Sequence, residues 1–350
     1  MAPYTPQAER IELSDDLLEA NAFLEEKGWT DGLPVIPPTE ERVARMLAGT
    51  KRDPQEEIGD VPPRWAPANV EKIAINAVMA GCLPEYMPVL IAALEAVTEP
   101  KLNLYALQAT TGGPAILLVV NGPIRHKLKI NSGPNVFGEG FRANATIGRA
   151  LRLILRNIGG AYPGTSCKAT LGWPGKFSLC IAENEEATSW QPLHVERGFS
   201  RDTSTVTAIS VDSFTRIGEQ GSPSAEALLY ILVQWMQRPG APEAVMVIGP
   251  EHADMLSQAG IDKKKLRNIL WERATFTWSS IPDDLFAMRV KRRPDLQATR
   301  DTVFHIVDNP DDILVVVAGG AGVHSAFLHV WGQSTPEGGS TRSVTKAIRD

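Results

Sequence analysis

Three stretches of the chain stay apolar for five or more consecutive residues and then break on a glycine. They are "PAILLVVNGPIRHKL" (114–128), "EAVMVIGPEHADML" (243–256) and "DDILVVVAGGAGVHSAF" (311–327). A strand with one wet face alternates apolar and polar residues, so a run apolar at every position is covered on both faces, as in α/β sheets. The glycine turns the chain at the strand's carboxyl end, where open α/β sheets bind ligands. The runs therefore predict an α/β fold, as two α/β lobes with buried strands and a ligand pocket between them. Their likeness is either a weak internal repeat or the grammar common to α/β chains, and the second reading is the simpler.

Caps and helical spacing place the other elements. Ser14 is expected to cap a helix over "DDLLEANAFLEEKG" that stops at Gly28, and Thr39 one over "EERVARMLAGT". "WTDGLPVIPPT" between them must be extended and turn-rich. Residues 1–60 thus read as a wrapping segment, with Trp29 and Asp31 at a pocket edge as the alternative. Val70, Ile73, Ala74, Ala77 and Val78 have helical spacing up to Gly81. Pro84 suits the first turn of the next helix, whereas Pro88 requires a kink or a later start. "STVTAISVDSF" alternates and predicts a half-buried strand. "SAEALLYILVQWMQRPG", from a capping serine to a terminal glycine, and "DKKKLRNILWERA" read as amphipathic helices. A soft boundary near 200 divides a first lobe (61–200) from a second (201–350).

At 350 residues the chain can bury a large core without staples. Its net charge of −6 argues against a nucleic-acid partner and against an anionic membrane surface. Three cysteines, with no CxxC pair, argue against a disulfide scaffold and for a reducing compartment. "MAPYTPQAERIELSDD" lacks the pattern of a signal peptide, and no apolar run reaches a membrane span. The expectation is a cytoplasmic protein.

Four constellations could carry chemistry. Cys82 in "GCLPEY" precedes a helix start, whose unpaired N–H groups would favour a thiolate, with Glu85 in the same turn as base or hydrogen-bond partner. Its alternative is a packed small hydrophobe. In "INSGPNVFGEGFRANATIGRALRLILRNIGG" (130–160) a polar, glycine-rich loop enters a helix capped by Asn144 or Thr146. Asn131, Ser132, Asn135, Arg142 and Asn144 are candidates to hold an anion there, Arg142 bidentately. Arg149, Arg152 and Arg156 read as a solvated stripe on the same helix. In "LCIAENEEATSWQPLHVERGF", His194 and Glu196 would point the same way if extended, the carboxylate orienting the imidazole, with a salt-bridged surface loop as the alternative. His252 and His324 each follow a buried strand and could face one sheet edge as substrate-binding groups. The His and Glu spacing matches no strong metal signature, so no metal and no cofactor are expected.

"WTDGLPVIPPTEERVARMLAGT", "AGCLPEYMPV" and "VVVAGGAGVHSA" resemble segments of the poorly characterised UGSC-type (seleno)protein family and its companion domain. The resemblance implies a bacterial small-molecule role, thiol-linked. The family's namesake Cys-Gly-Ser-Cys is absent, so no redox selenol chemistry carries over to any residue. Together these readings predict an enzyme acting on a small anionic organic molecule by lyase- or hydrolase-type chemistry. Cys82, Glu85, His194 and Glu196 would be its catalytic groups, and a homo-oligomer is compatible with it. A scaffold subunit of a thiol-redox complex and a metal-dependent hydrolase are the alternatives.

Overall fold

In the computed structural model of the chain, residues 5–218, 221–236, 241–335 and 337–349 are described. Helices α1 (Leu17–Glu26) and α2 (Glu40–Leu47), a hairpin of β1 (Glu57–Val61) and β2 (Ala66–Asn69), and helices α3 (Val70–Ala80), α4 (Met87–Val97) and α5 (Leu104–Ala109) precede the first central strand, β3 (Ala115–Asn121). The turn α6 (Ile124–Lys127) and the long α7 (Arg142–Asn157) lead to β4 (Cys180–Ala182), and the short α8 (Leu193–Glu196) to β5 (Thr205–Gly218). Helix α9 (Ala225–Trp235), β6 (Ala244–Ile248), α10 (Pro250–Gln258) and α11 (Lys263–Arg273) follow. A small excursion of β7 (Thr275–Phe276), α12 (Asp283–Arg292) and β8 (Phe304–His305) comes before β9 (Ile313–Val317), β10 (His324–Val330) and β11 (Val344–Ala347).

The fold is mixed α/β. Its main sheet runs β4-β3-β5-β10-β6-β9, with β11 on β5 beside β10. The β3–β4 and β6–β9 pairs are parallel and the other pairs antiparallel. A half-turn between β5 and β10 therefore exchanges β4 with β9, β3 with β6 and β5 with β10, directions included. In each half the chain visits the middle, outer and inner strand in that order. Each middle strand runs into Gly-Pro and a helix, at Gly122-Pro123 and at Gly249-Pro250. The topology thus repeats in tandem, the reading ranked second from sequence. The 115–121 and 244–248 runs are equivalent strands, while 313–317 is the counterpart of β4.

The sheet curls until its edges meet. The Asn184 N–H donates to Val317 O at 2.7 Å across the seam between the ends of β4 and β9. Inward side chains from all six strands, among them Leu117, Val119, Ile181, Ile209, Val245, Val247, Leu314, Val316 and Leu328, make one apolar interior. The alternate residues Leu118, Val120, Ala182, Val206 and Ala208 face a helical layer that includes α3, α4 and α7. Ala244, Met246, Ile248, Ile313, Val315 and Val317 face a second layer with α9, α10 and α11. This sandwiching explains why the strands read as continuous apolar runs.

β5 departs from its expected half-buried form, because its first seven residues are all buried. One of their faces lines the interior and the other meets the helices. Asp212 is an extra residue where the register with β10 shifts between His329 and Val330. That bulge reverses the facing, so Ile217 reaches the second layer although Ile209 and Val211 point inward.

Most helix ends follow the local signals. Thr39 caps α2, Asn69 caps α3, Ser224 caps α9 and Asp262 caps α11. The cap of α1 is Asp16, whose carboxylate accepts from the Leu18 and Glu19 N–H groups, rather than Ser14. Pro88 takes the later start: it is the second residue of α4. The expected terminal glycine after α9, Gly240, lies outside the described residues.

Candidate functional site

Helices α2 and α7 and the turn after α3 enclose an open cleft of about 770 Å³, solvent mouth included. Its walls are Arg42, Arg45 and Met46 of α2, Val78 of α3, Cys82, Leu83 and Pro84 of the turn, Arg142 at the start of α7, and Ile36. Gly81 ends α3 at φ 89°, a left-handed conformation that glycine adopts without strain. Gly49 lets α2 close on this turn, since a Cβ there would collide with the Pro84 carbonyl. Arg142 Nε donates to Gly81 O at 3.0 Å and Arg42 to Pro37 O at 3.0 Å. No carboxylate among the described residues pairs with Arg42, Arg45 or Arg142. Of the polar groups expected on the 130–144 loop, only Arg142 reaches the cleft.

Cys82 lies in the wall of this cleft, where the carboxyl end of α3 gives way to the one-turn helix Pro84–Tyr86 that runs into α4. Its N–H donates to Ala77 O, so it belongs to the carboxyl-terminal turn of α3, and α4 starts only at Met87. The carbonyl end of a helix disfavours an anion. The thiol is buried and donates to Thr146 O at 3.3 Å. Burial pushes it up to about 12, and Thr146, Arg142 and Arg149 offset this only in part. Cys82 therefore keeps its proton at neutral pH. Glu85 stands exposed on the one-turn helix Pro84–Tyr86, outside the cleft lining.

The remaining loop residues hold the loop itself. The Asn131 N–H donates to Asn144 Oδ1 at 2.7 Å, and Asn144 Nδ2 returns a bond to Asn131 O at 3.0 Å. The Ser132 carbonyl accepts from Gly319 N, and Asn135, at φ 56°, donates to Glu139 O. Neither Asn144 nor Thr146 caps α7, which begins at Arg142 after Phe141. The arginines farther along α7 are not a solvated stripe. Arg149 grips Asp31 with two 2.8 Å bonds, Arg152 donates to Gln108 Oε1 at 3.1 Å, and Arg156 lies over the Tyr162 ring.

His194 and Glu196 do not form the expected pair. They sit in the short helix α8, where residues two apart diverge. His194 is fully buried, with Nε2 3.3 Å from Arg201 O and Nδ1 4.0 Å from Glu185. Glu196 pairs with Lys263 and Arg267. Their neighbourhood is a buried charge cluster at the sheet seam. Glu183 accepts from Asn121 Nδ2 and the Leu193 N–H at 2.7 Å each and from Lys263 Nζ at 2.9 Å. Arg125 binds Glu185 and Glu186. The sequence signal was present, as three glutamates directly after a buried strand, but it is equally compatible with a solvated, salt-bridged loop.

His252 and His324 stand in the second half of the sheet, at the starts of α10 and β10. His252 is buried, with Nδ1 2.8 Å from Ser325 Oγ. Burial, then the charge of nearby His324, holds it below the ordinary histidine range. His324 is exposed, and neither histidine lines the arginine cleft. Arg42 and Arg45 were not singled out from sequence. Their spacing of three in "RVAR" puts both on one face of a helix, which also describes an ordinary solvated surface.

Among the described residues no group of three or more His, Cys, Asp or Glu is placed to hold a metal ion, and no helix is long and apolar enough to cross a membrane. No family model matches the chain, and no curated protein matches it.

Proposed function

We propose that the protein is an enzyme that binds a small anionic organic molecule, through a carboxylate or phosphate, in the cleft of Arg42, Arg45 and Arg142, and acts on it by polar chemistry. The observation that carries this reading is a cleft lined by three arginines over an apolar floor, with no carboxylate among the described residues paired to them. Cations gathered in this way repel one another until an anion joins them, and guanidinium forks suit the planar oxygens of carboxylate and phosphate. Cys82 stands in the wall as a neutral thiol. A thiol held near 12 gives its proton only to a stronger base, such as a carbanion. The lyase form of the reaction therefore fits better than thiolate attack. A cytoplasmic location goes with the reading, since the three cysteines are unpaired.

Titration calorimetry with a panel of mono-, di- and tricarboxylates and organic phosphates tests the proposal. At least one member should bind, and Arg45→Ala and Arg142→Ala should each weaken it by roughly 10- to 100-fold, the worth of one charge-assisted hydrogen bond. Arg156→Ala, which changes a group stacked on Tyr162 outside the cleft, should leave the affinity unchanged. A panel that fails to bind, or equal losses in all three variants, would sink it.

A further inference from the structure

The side chains of the arginine cleft donate hydrogen bonds but hardly accept them. Beside Arg42, Arg45 and Arg142, the lining is Ile36, Met46, Val78, Leu83 and Pro84, together with Cys82. Arginine only donates, and the sulfurs of Met46 and Cys82 are weak acceptors. No carboxylate, amide or hydroxyl lines the cleft. The carbonyls around it are already engaged in the fold. Gly81 O accepts from Arg142, Pro37 O from Arg42, Thr146 O from the Cys82 thiol and Met79 O from the Ile36 N–H. The Pro84 carbonyl lies against Gly49 of the turn after α2, where even a Cβ would collide with it.

Such a lining discriminates by what it leaves unpaired. A hydroxyl brought into it must donate its hydrogen, and a buried donor without a partner is costly. An ammonium would also meet three cations and no carboxylate. A hydrocarbon body meets no such cost. Met46 and Val78 give it a buried floor, at 3% and 4% exposed, and Ile36, 40% exposed, offers apolar surface that it would cover. The space, about 770 Å³ with its mouth, is on the scale of small-molecule sites, roughly 300–1,000 Å³.

Granted that this cleft holds an anion, as proposed above, we infer that the bound molecule is a carboxylic or phosphoric acid on a plain hydrocarbon body, aliphatic or aromatic. Hydroxy acids, sugar phosphates and amino acids are discriminated against. The arginines hold the acid group, and Met46, Val78 and Leu83 set the preference for the body.

Titration calorimetry on the full-length protein tests this with probes matched in carbon skeleton and differing in hydroxyls. The pairs are hexanoate with gluconate, succinate with tartrate, and cyclohexyl phosphate with inositol 1-phosphate. In each pair that binds, the plain member should bind roughly 10- to 100-fold tighter, the range over which an apolar pocket rejects an added hydroxyl. Its binding should also show a negative heat-capacity change, the mark of apolar burial. Likewise 3-phenylpropionate should bind at least tenfold tighter than phenylalanine, which adds an ammonium to the same body. Leu83→Asn puts an acceptor into the apolar wall at a position that caps the one-turn helix Pro84–Tyr86, where asparagine is favourable. It should shrink the ratios several-fold. The wild-type ratios need no variant, so the test stands if that substitution impairs folding. Hydroxylated or amino probes that bind as tightly as their plain partners, or a folded Leu83→Asn protein with wild-type ratios, would overturn the inference. If such binding still weakens in Arg45→Ala, the anion site stands and only the hydrocarbon body is wrong. If no probe binds, both fall.

Discussion

A cysteine's chemistry is decided by what surrounds its sulfur, and this chain has two opposite cases. Cys82 and Cys167 are both buried, yet one is kept protonated and the other is pulled toward the thiolate. The difference lies in the neighbours. At Cys82 desolvation outweighs the Thr146 carbonyl and the charges of Arg142 and Arg149, whereas at Cys167 the Ala169 N–H and the charges of Lys176 and Arg152 outweigh it. Cys82→Ala should cost roughly 1 kcal/mol, the loss of a small buried group with incomplete collapse around it, as read by urea denaturation. Its thiol is raised from 9.0 to about 12 in the fold, so the native state binds the extra proton between those values. The associated stability is present below about pH 9 and is lost as pH rises through about 12. Wild-type stability should accordingly fall more steeply with pH over that window than that of Cys82→Ala. Equal slopes would mean that the thiol is better solvated than its burial implies.

Among the elements, α7 does the most to position groups, and it is held from outside. The extended segment after α1 crosses it, and Asp31 grips Arg149 while Arg149 also reaches Leu33 O and Pro34 O. Burial raises the Asp31 carboxyl, but Arg149 outweighs it and holds the group below its ordinary value. Asp31→Ala leaves Arg149 facing only carbonyls and should destabilise the protein by about 3 kcal/mol, the lower end for breaking a buried pair. Because the folded value is lowered, this contribution is present above the ordinary carboxylate value and is lost as pH falls below it through the lowered folded value. Denaturant melts at pH 7 and pH 3 should therefore differ less for Asp31→Ala than for wild type. An unchanged difference would separate the clamp from the acid response. The caps at Thr39 and Ser224 were legible in sequence because each acts within three residues. The Asp31–Arg149 clamp was not, because its partners lie 118 residues apart.

At the scale of the molecule, two halves of like topology share one curled sheet, and Glu183 stands at the seam where they meet. It joins β3 through Asn121, α8 through the Leu193 N–H, α11 through Lys263 and β9 through the Val317 N–H. Glu183→Ala removes the shared acceptor and leaves a buried ammonium and a buried amide without it. The expected loss is about 3–5 kcal/mol. With eight tryptophans in the chain, fluorescence and far-UV circular dichroism can both follow the transition. The two signals should move together to lower denaturant, because the seam ties both helical layers to one sheet. A melt in which only one signal shifts would show that the halves unfold separately.

The sequence by itself determined the α/β class, the buried strands and most helix starts, because those depend on periodicity and on caps a few residues away. It also marked Arg142, which sits where a polar loop enters a helix. It could not show that the 115–121 and 244–248 runs are equivalent strands, since equivalence lies in pairing direction and side chains need only be apolar to satisfy it. Nor could it place His194 away from Glu196, because a four-residue helix leaves no periodic signal. The opposite electrostatic settings of Cys82 and Cys167 were decided by tertiary structure alone. Desolvation and charge act through space, and Lys176 and Arg152 come to one sulfur from a turn and a helix on either side of it in the chain.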